Sequence, residues 1–429
     1  FCDKMKTSAV VTRVVLLLLV CCFVRAHQTL VVVDDFSMES THSMFFKSLT
    51  DRGYDLTFHK ASDSDIPFRD HGEFLFDSLI VFAPKTDNWN EMDFSVNTVL
   101  EFIDSGKGNV LVAGDSTMNY FTSAMADECG AEFGSTGNFV IDHLAFDQSD
   151  FGGYHTVITA DNFVDSDVLA GDLSPILYQG NGLSLRADNK LVFPILSGSP
   201  SSYCQNPEEN DNHSLHASGR NLVLVAGLQA RNNARVVLSG SVDMFSDNYF
   251  TAKILSKDGK SVSSGNADFA TDLTQWVFGE RGLIRVKSVS HHLVGETEQR
   301  DSYTVKENIV YTIEIEEFDG KKWVGYSGSN IQLELQMLDP YIRKTLTNQG
   351  NGVYSSTFQL PDVYGVFTFK VDYHRVGYTS VVERSLVTIL PLRHTDYERF
   401  IPSAFPYYAS AFSMMGGVAL FSLIFLFSK

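Results

Sequence analysis

Only five cysteines occur in this chain, and three of them, Cys2, Cys21 and Cys22, fall in or before an N-terminal apolar run. That leaves Cys129 and Cys204 for the body of the protein, too few for a disulfide-stapled scaffold. Their spacing leaves two states open: a Cys129–Cys204 disulfide, or two free buried thiols. Positive charge is scarce as well, with 33 Lys and Arg against 52 Asp and Glu and a net charge of −19. Phosphate contacts need clustered cations, so nucleic acid is excluded as a partner and broad contact with an anionic membrane surface is disfavoured. Between Pro402 and Phe427 charge of either sign disappears altogether.

What that uncharged stretch contains decides its role. A helix needs about 20 apolar residues to cross the hydrocarbon core, and Tyr407 to Phe427 is long enough, with Tyr407 and Tyr408 where an interfacial aromatic belt sits. Ala409, Ser413 and Gly417 recur four residues apart, placing small side chains on one face where another helix can approach closely. At the other end Met5 reads as the start, Phe1 to Lys4 as an upstream remnant, Lys6 and Arg13 as a basic flank, and Val14 to Val24 as a short apolar core. Val24-Arg25-Ala26 then supplies a cleavage site, the pattern of a secretory signal. A cleaved signal and one late span put the residues from His27 to about Ile401 on the lumenal or extracellular side.

At 44% hydrophobic and 20% charged residues, this intervening part is globular in composition and too long for one core. Apolar runs at Thr29–Val33, Leu56–His59, Ser78–Ala83, Asn109–Ala113, Asn221–Ala226 and Arg235–Ser239 alternate with helical patterns at Thr41–Asp51, Val96–Asp104 and Asp268–Phe278. Such Val/Leu-rich strands covered by helices predict an α/β module with a parallel, doubly wound sheet, Rossmann-like or amidotransferase-like. Beyond Leu283 the period changes to two, as in Val310-Tyr311-Thr312-Ile313-Glu314-Ile315 and Val366-Phe367-Thr368-Phe369-Lys370-Val371. With turns such as Asp319-Gly320 and Asn351-Gly352 between, these strands predict an antiparallel β-sandwich. The resulting layout is a signal peptide (5–26), two α/β lobes (27–149 and 150–282), a sandwich (283–395), a transmembrane helix (403–427) and a two-residue cytosolic tail (428–429).

The carboxyl ends of the strands are where such a sheet binds ligands, and the motifs of chemistry are missing there. No GxGxxG or GxxxxGK(S/T) follows a strand, and Asp34-Asp35 stands where a pyrophosphate would be repelled. Gly114-Asp115-Ser116 occupies the elbow position of a hydrolase or amidotransferase without Gly-x-Ser-x-Gly or a nucleophilic Cys. No residue is therefore assigned as catalytic, cofactor-binding or metal-ligating. Asp34, Asp35, Asp115 and Asp243 are able to converge on a hard cation, but helix capping is the reading favoured for such residues. His291-His292 point to opposite sides of a strand, which argues against a shared metal. The one sequon, Asn212-His213-Ser214, lies in a polar loop and is a glycosylation candidate.

Four phrases carry a resemblance: Gly227-Leu228-Gln229-Ala230-Arg231-Asn232-Asn233-Ala234-Arg235, Val289-Ser290-His291-His292-Leu293-Val294-Gly295-Glu296, Leu360-Pro361-Asp362-Val363-Tyr364-Gly365-Val366-Phe367 and Tyr397-Glu398-Arg399-Phe400-Ile401-Pro402-Ser403-Ala404. They closely resemble the family of 48-kilodalton subunits of dolichyl-diphosphooligosaccharide-protein glycosyltransferase, in order from Thr29 onward. The resemblance implies a non-catalytic subunit of oligosaccharyltransferase, the endoplasmic reticulum complex that moves a preassembled glycan from dolichol diphosphate to Asn of Asn-x-Ser/Thr. It implies other subunits of the complex as partners, the multi-spanning catalytic one among them, contacts with their transmembrane helices, and a hold on nascent polypeptide or glycan. Some relatives end in a dilysine tail, whereas here Ser428-Lys429 is the end. Two other classes fit the residues less well: a free-standing lumenal hydrolase or amidotransferase, and a single-pass surface adhesion or receptor protein.

Overall fold

The computed structural model describes residues 27–428, apart from 64–65, 88, 90–93, 107, 149–152, 167, 170, 172, 209–214, 256–260 and 398–401. The signal-peptide expectation and the Asn212 sequon lie outside the described residues. Contacts divide the chain into two units. The first comprises the residues up to Arg285 together with Glu316–Tyr326 and His374–Val381; the second comprises Val286–Ile315, Ser327–Tyr373 and everything from Val382 onward.

The first unit is built on a ten-stranded mixed sheet. Its elements begin with β1 (His27–Val33), α1 (Ser43–Asp51), β2 (Tyr54–Lys60), β3 (Ser78–Phe82), α2 (Val96–Asp104), β4 (Asn109–Ala113) and α3 (Tyr120–Cys129). They continue with β5 (Val192–Ser197), β6 (Val223–Gln229), β7 (Arg235–Ser239) and α4 (Asn266–Val277). The strands lie in the order β5-β6-β7-β4-β3-β1-β2, and β7, β4, β3, β1 and β2 all run parallel. Both faces are covered. Leu30, Val32, Leu79, Val81, Val110 and Val112 pack with Val99 and Phe102 of α2 and Phe121 and Met125 of α3. From the alternate positions, Phe82 meets Phe45 of α1 with ring centroids 5.5 Å apart and stacks on Phe245 at 5.2 Å. Burial of both faces is why these strands read as continuous apolar runs rather than alternating ones.

One expectation is corrected. β6 is antiparallel to β7, with Val225 opposite Ser239, and β5 is antiparallel to β6, so the sheet is not parallel throughout. The reason is the connection: residues 230–234 close a short turn in which Ala230 N–H donates to the Ala234 carbonyl at 2.9 Å and Asn233 adopts a φ of 69°. A parallel pair needs a crossover of a dozen or more residues. The stretch 150–219 supplies short strands, including Leu183–Leu185 and Asn162–Phe163, that join the same sheet.

The second unit holds most of two five-stranded sheets, with antiparallel pairs such as Asn308–Phe318 against Val353–Gln359; the expectation of a wholly antiparallel sandwich is corrected at one edge, where Ser302–Thr304 runs parallel to Val381–Leu390. Eight of the ten strands are β8 (Ile284–Leu293), β9 (Ser302–Thr304), β10 (Asn308–Phe318), β11 (Gln332–Gln336), β12 (Pro340–Thr345), β13 (Val353–Gln359), β14 (Gly365–Tyr373) and β15 (Val381–Leu390), with β8, β10 and β15 each shared with the first unit at one end; the other two are the short Trp323–Gly325 and Thr347–Gly350. Tyr311, Ile313, Leu333, Leu335, Phe367, Phe369 and Ile389 are buried while their neighbours along each strand are not, giving a sandwich-like core. The turn before β13 has positive φ at both Asn351 (53°) and Gly352 (80°), the primed geometry that matches strand twist. The chain's last element is α5 (Phe405–Phe427), 23 residues long, apolar all round and long enough to cross a bilayer.

Candidate functional site

The carboxyl ends of β1, β3, β4 and β7 bring Asp34, Asp115 and Asp243 toward the turn at Lys85. Asp34 accepts hydrogen bonds from the backbone N–H of Thr86 at 3.0 Å and from its hydroxyl at 2.7 Å, with Lys85 N–H at 3.2 Å. Lys85 Nζ stands 3.8 Å from Asp115, while Asp35 pairs with Lys60 at 2.6 Å. These carboxylates tie loops together. Asp34 and Asp35 do not cap the following helix, whose first residue is preceded by Phe36 with no side-chain cap. The cap of α1 comes from far along the chain: Asp247 accepts from Met44 N–H at 2.8 Å and Ser43 N–H at 3.1 Å. Among the described residues there is no group of three or more His, Cys, Asp or Glu placed to hold a metal.

The titratable groups here are tuned by burial. His42 is 3% exposed, with Nε2 3.3 Å from the Val242 carbonyl and Nδ1 2.9 Å from the Thr41 hydroxyl. Burial lowers its pKa, so the ring is neutral at physiological pH. Asp243 is raised, first by crowding of the protein around it and then by the Asp115 carboxylate. At the elbow, Ser116 donates its backbone N–H to its own neighbour Asp115 at 2.7 Å and is largely buried. A nucleophile beside a base needs a different geometry.

The turn that Asp34 fixes leads into a cleft. Thr86 carbonyl accepts from Trp89 Nε1–H at 2.7 Å and from Asn119 Nδ2–H at 2.9 Å. Asn119, 2% exposed, also donates to the Ala83 carbonyl at 2.6 Å and caps α3 by accepting from Thr122 N–H at 2.8 Å. Trp89 is thereby laid flat on Phe121, with centroids 4.2 Å apart and planes 12° from parallel. Together with Phe94 and the exposed ring of Tyr120 these residues line a cavity of about 250 Å³, rimmed by Asp87, Asn97 and Glu128. Flat aromatic faces beside carboxylates and an amide suit a neutral, hydroxyl- or amide-rich ligand. No strand-end motif marks these residues, since none of them is a nucleophile or a titratable group at the close of a strand. The available signal was the cluster of Trp89, Phe94, Tyr120 and Phe121 beside two helix starts.

Cys129 and Cys204 are free thiols, which settles the alternative left open by their spacing and removes the disulfide. Cys129 ends α3 inside the core, and Cys204 donates to Asn181 Oδ1 at 3.4 Å. Burial pushes their pKa values up to about 12 and about 11. His291 and His292 diverge as expected: His291 is buried against the Tyr303 hydroxyl at 2.7 Å, while His292 Nδ1 lies 2.9 Å from the Leu293 carbonyl. On α5, Ser413 spends its hydroxyl on the Ser410 carbonyl at 2.9 Å, and a side chain at Gly417 would meet nothing within 4 Å.

Comparison with known proteins assigns the chain. Residues 21–280 match the family described as OST48, N-terminal domain, and residues 291–429 match the OST48 middle domain. The chain belongs to the OST48 family. Its relatives include the dolichyl-diphosphooligosaccharide-protein glycosyltransferase 48 kDa subunit of Danio rerio, 47% identical over 93% of this chain and 91% of that protein. The subunits of the same name from Drosophila melanogaster and Arabidopsis thaliana are 46% and 40% identical, covering 94% of this chain and 91% and 93% of their own lengths. The OST48 match thus spans the mixed sheet, the sandwich-like unit and the apolar helix in one register.

Proposed function

We propose that this chain is a non-catalytic accessory subunit of oligosaccharyltransferase, held in the endoplasmic reticulum membrane by α5 with both folded units on the lumenal side. The observation that carries the reading is the match of both OST48 domains in order, at 40–47% identity to subunits of that enzyme. The non-catalytic part rests on the strand ends, where Ser116 is buried beside Asp115 and His42 is tied through both ring nitrogens. The first unit is assigned as a doubly wound, amidotransferase-like module in its five parallel strands, supported by the order β7-β4-β3-β1-β2 and helices on both faces. Such a scaffold contributes binding and position. The Trp89–Tyr120 cleft is the place for it, with substrate glycan or polypeptide as occupant.

The face of Ala409, Ser413 and Gly417 is assigned to packing against a partner's membrane helix. Depletion of the chain should lower N-glycosylation broadly and re-expression should restore it; the chain should co-purify with a multi-spanning subunit. Ser413→Leu with Gly417→Leu should release it from the solubilised complex, and undiminished co-purification would refute the packing face. Sensitivity of an Asn212 glycan to endoglycosidase H, lost in Asn212→Gln, reports the lumenal placement.

A further inference from the structure

Most of the exposed large apolar side chains of the sandwich-like unit gather at one end, with Leu386 and Val382 elsewhere on the last strand as the exceptions. Three backbone hydrogen bonds define that end: Val305 N–H to the Leu390 carbonyl at 3.0 Å, Leu360 N–H to the Glu307 carbonyl at 2.9 Å, and Val294 N–H to the Asn308 carbonyl at 3.0 Å. β14 opens at Gly365, just after Leu360, and Gln336 at the close of β11 pairs with Thr368 near the opening of β14. The β11–β12 tip at Met337–Leu338 therefore belongs to the same end. Leu338 is 96% exposed, Val294, Tyr364 and Val366 are each more than half exposed, and Tyr341 and Leu390 nearly so. Soluble surfaces rarely gather so many large apolar groups without a use for them.

That end is also the one from which the chain leaves for the membrane. β15 finishes at Leu390 and α5 begins at Phe405, and the stretch 391–401 reaches at most about 40 Å when fully extended. The opposite end of the sheet stands about 30 Å farther away, the length of β14 at about 3.3 Å per residue. The geometry points to a second, peripheral membrane contact: the Leu338 tip, with Tyr341, Tyr364 and Val366, rests in the interface of the bilayer that α5 spans.

The chemistry of the end fits a neutral lipid surface. Tyrosine places an apolar ring and a polar hydroxyl at headgroup depth. Two of the neighbouring cations are paired, Lys306 with Asp362 at 2.8 Å and Arg300 with Glu296 at 2.6 Å, while exposed Asp339 limits entry to the headgroup layer. A net charge of −19 sets the surface as zwitterionic rather than anionic. Only the span of α5 is needed for this inference, so it stands or falls apart from the subunit assignment.

The test uses the full-length chain in phosphatidylcholine nanodiscs, with Leu338→Cys carrying an environment-sensitive fluorophore and Ser329→Cys, at the opposite end of β11, as control. Shallow doxyl-labelled phosphatidylcholine should quench the Leu338→Cys label about twofold and leave the control unchanged. Equal, unquenched emission at both positions overturns the proposal. So does a Leu338→Cys label that is unquenched in nanodiscs yet becomes shielded in the assembled complex, which assigns the end to a protein partner.

Discussion

Arg235 offers the sharpest test of what holds the first unit together. It lies at the start of β7, is 1% exposed, and among the described residues has no carboxylate as a hydrogen-bond partner. Its guanidinium donates instead to the carbonyls of Trp276 at 2.6 Å, Arg281 at 2.7 Å and Gly282 at 2.8 Å, and sits 5.0 Å from the Trp276 ring centroid. Burial pulls its pKa down to about 9, so it is still charged at neutral pH. Trp276 Nε1–H in turn reaches the Gly377 carbonyl at 2.8 Å, so one buried side chain organises the end of α4, the link at 281–282 and the 374–381 loop of the same unit. Each hydrogen bond to a charged group contributes about 1.5–3 kcal/mol and the stacked cation about 2 kcal/mol. Non-additivity and partial re-solvation of the three carbonyls cut that gross sum, and Arg235→Met should destabilise the unit by about 4 kcal/mol.

Against a typical domain stability of about 5–15 kcal/mol this is a large fraction, and for a unit of this size it corresponds to about a 10 °C fall in Tm. Thermal and urea unfolding of the full-length chain in detergent, followed by tryptophan fluorescence, measures it. Arg235→Lys should recover part of the loss, since an ammonium keeps the charge but not the planar fork. Arg281→Met serves as the control, because its pair with Asp272 at 2.8 Å is only partly buried, with the arginine half-exposed, and should cost about 1 kcal/mol. A Tm change for Arg235→Met no larger than that of Arg281→Met would refute the reasoning.

Other consequences follow from the same geometry. Asn119→Ala removes a helix cap and two buried carbonyl partners together, for about 2–3 kcal/mol, and should free Trp89 from Phe121, seen as a red shift and stronger quenching of tryptophan emission by iodide. Burial lowers the pKa of His42 and of His291 below the ordinary 6.5, so the unfolded chain takes up these protons first and stability is lost as pH falls below 6.5. Tm should drop between pH 7.5 and pH 5.5, and less so in His42→Asn; an unchanged slope would count against the buried neutral ring. Cys129 and Cys204 should resist maleimide at pH 7.5 in the native protein and both react in urea, with no disulfide on a non-reducing gel.

Much of the architecture was legible along the chain because burial is written in hydropathy period. Strands covered on both faces, such as Leu79–Phe82 and Val110–Ala113, read as unbroken apolar runs, and the alternation of Val310–Glu316 announced a strand with one wet face. Direction is different. Nothing in the composition of Val223–Gln229 distinguishes a parallel from an antiparallel neighbour, and only the short turn with Asn233 at positive φ reverses it. Long-range pairing was hidden in the same way: the cap of α1 is supplied by Asp247, some two hundred positions later, and no local pattern points to it.

The sequence by itself determined the strand or helix character of the main apolar runs, the apolar final helix and the family, since these depend on local period, length and extended phrases. The tertiary structure alone decided that Cys129 and Cys204 stay apart, that Asp34 serves a loop rather than a helix, that Trp89, Phe121 and Tyr120 form one cleft, and that Leu338, Tyr364 and Leu390 share an end. The physical reason is common to all four: each depends on which distant segments the sheets bring side by side, and that is set by strand order and direction, which hydropathy does not encode.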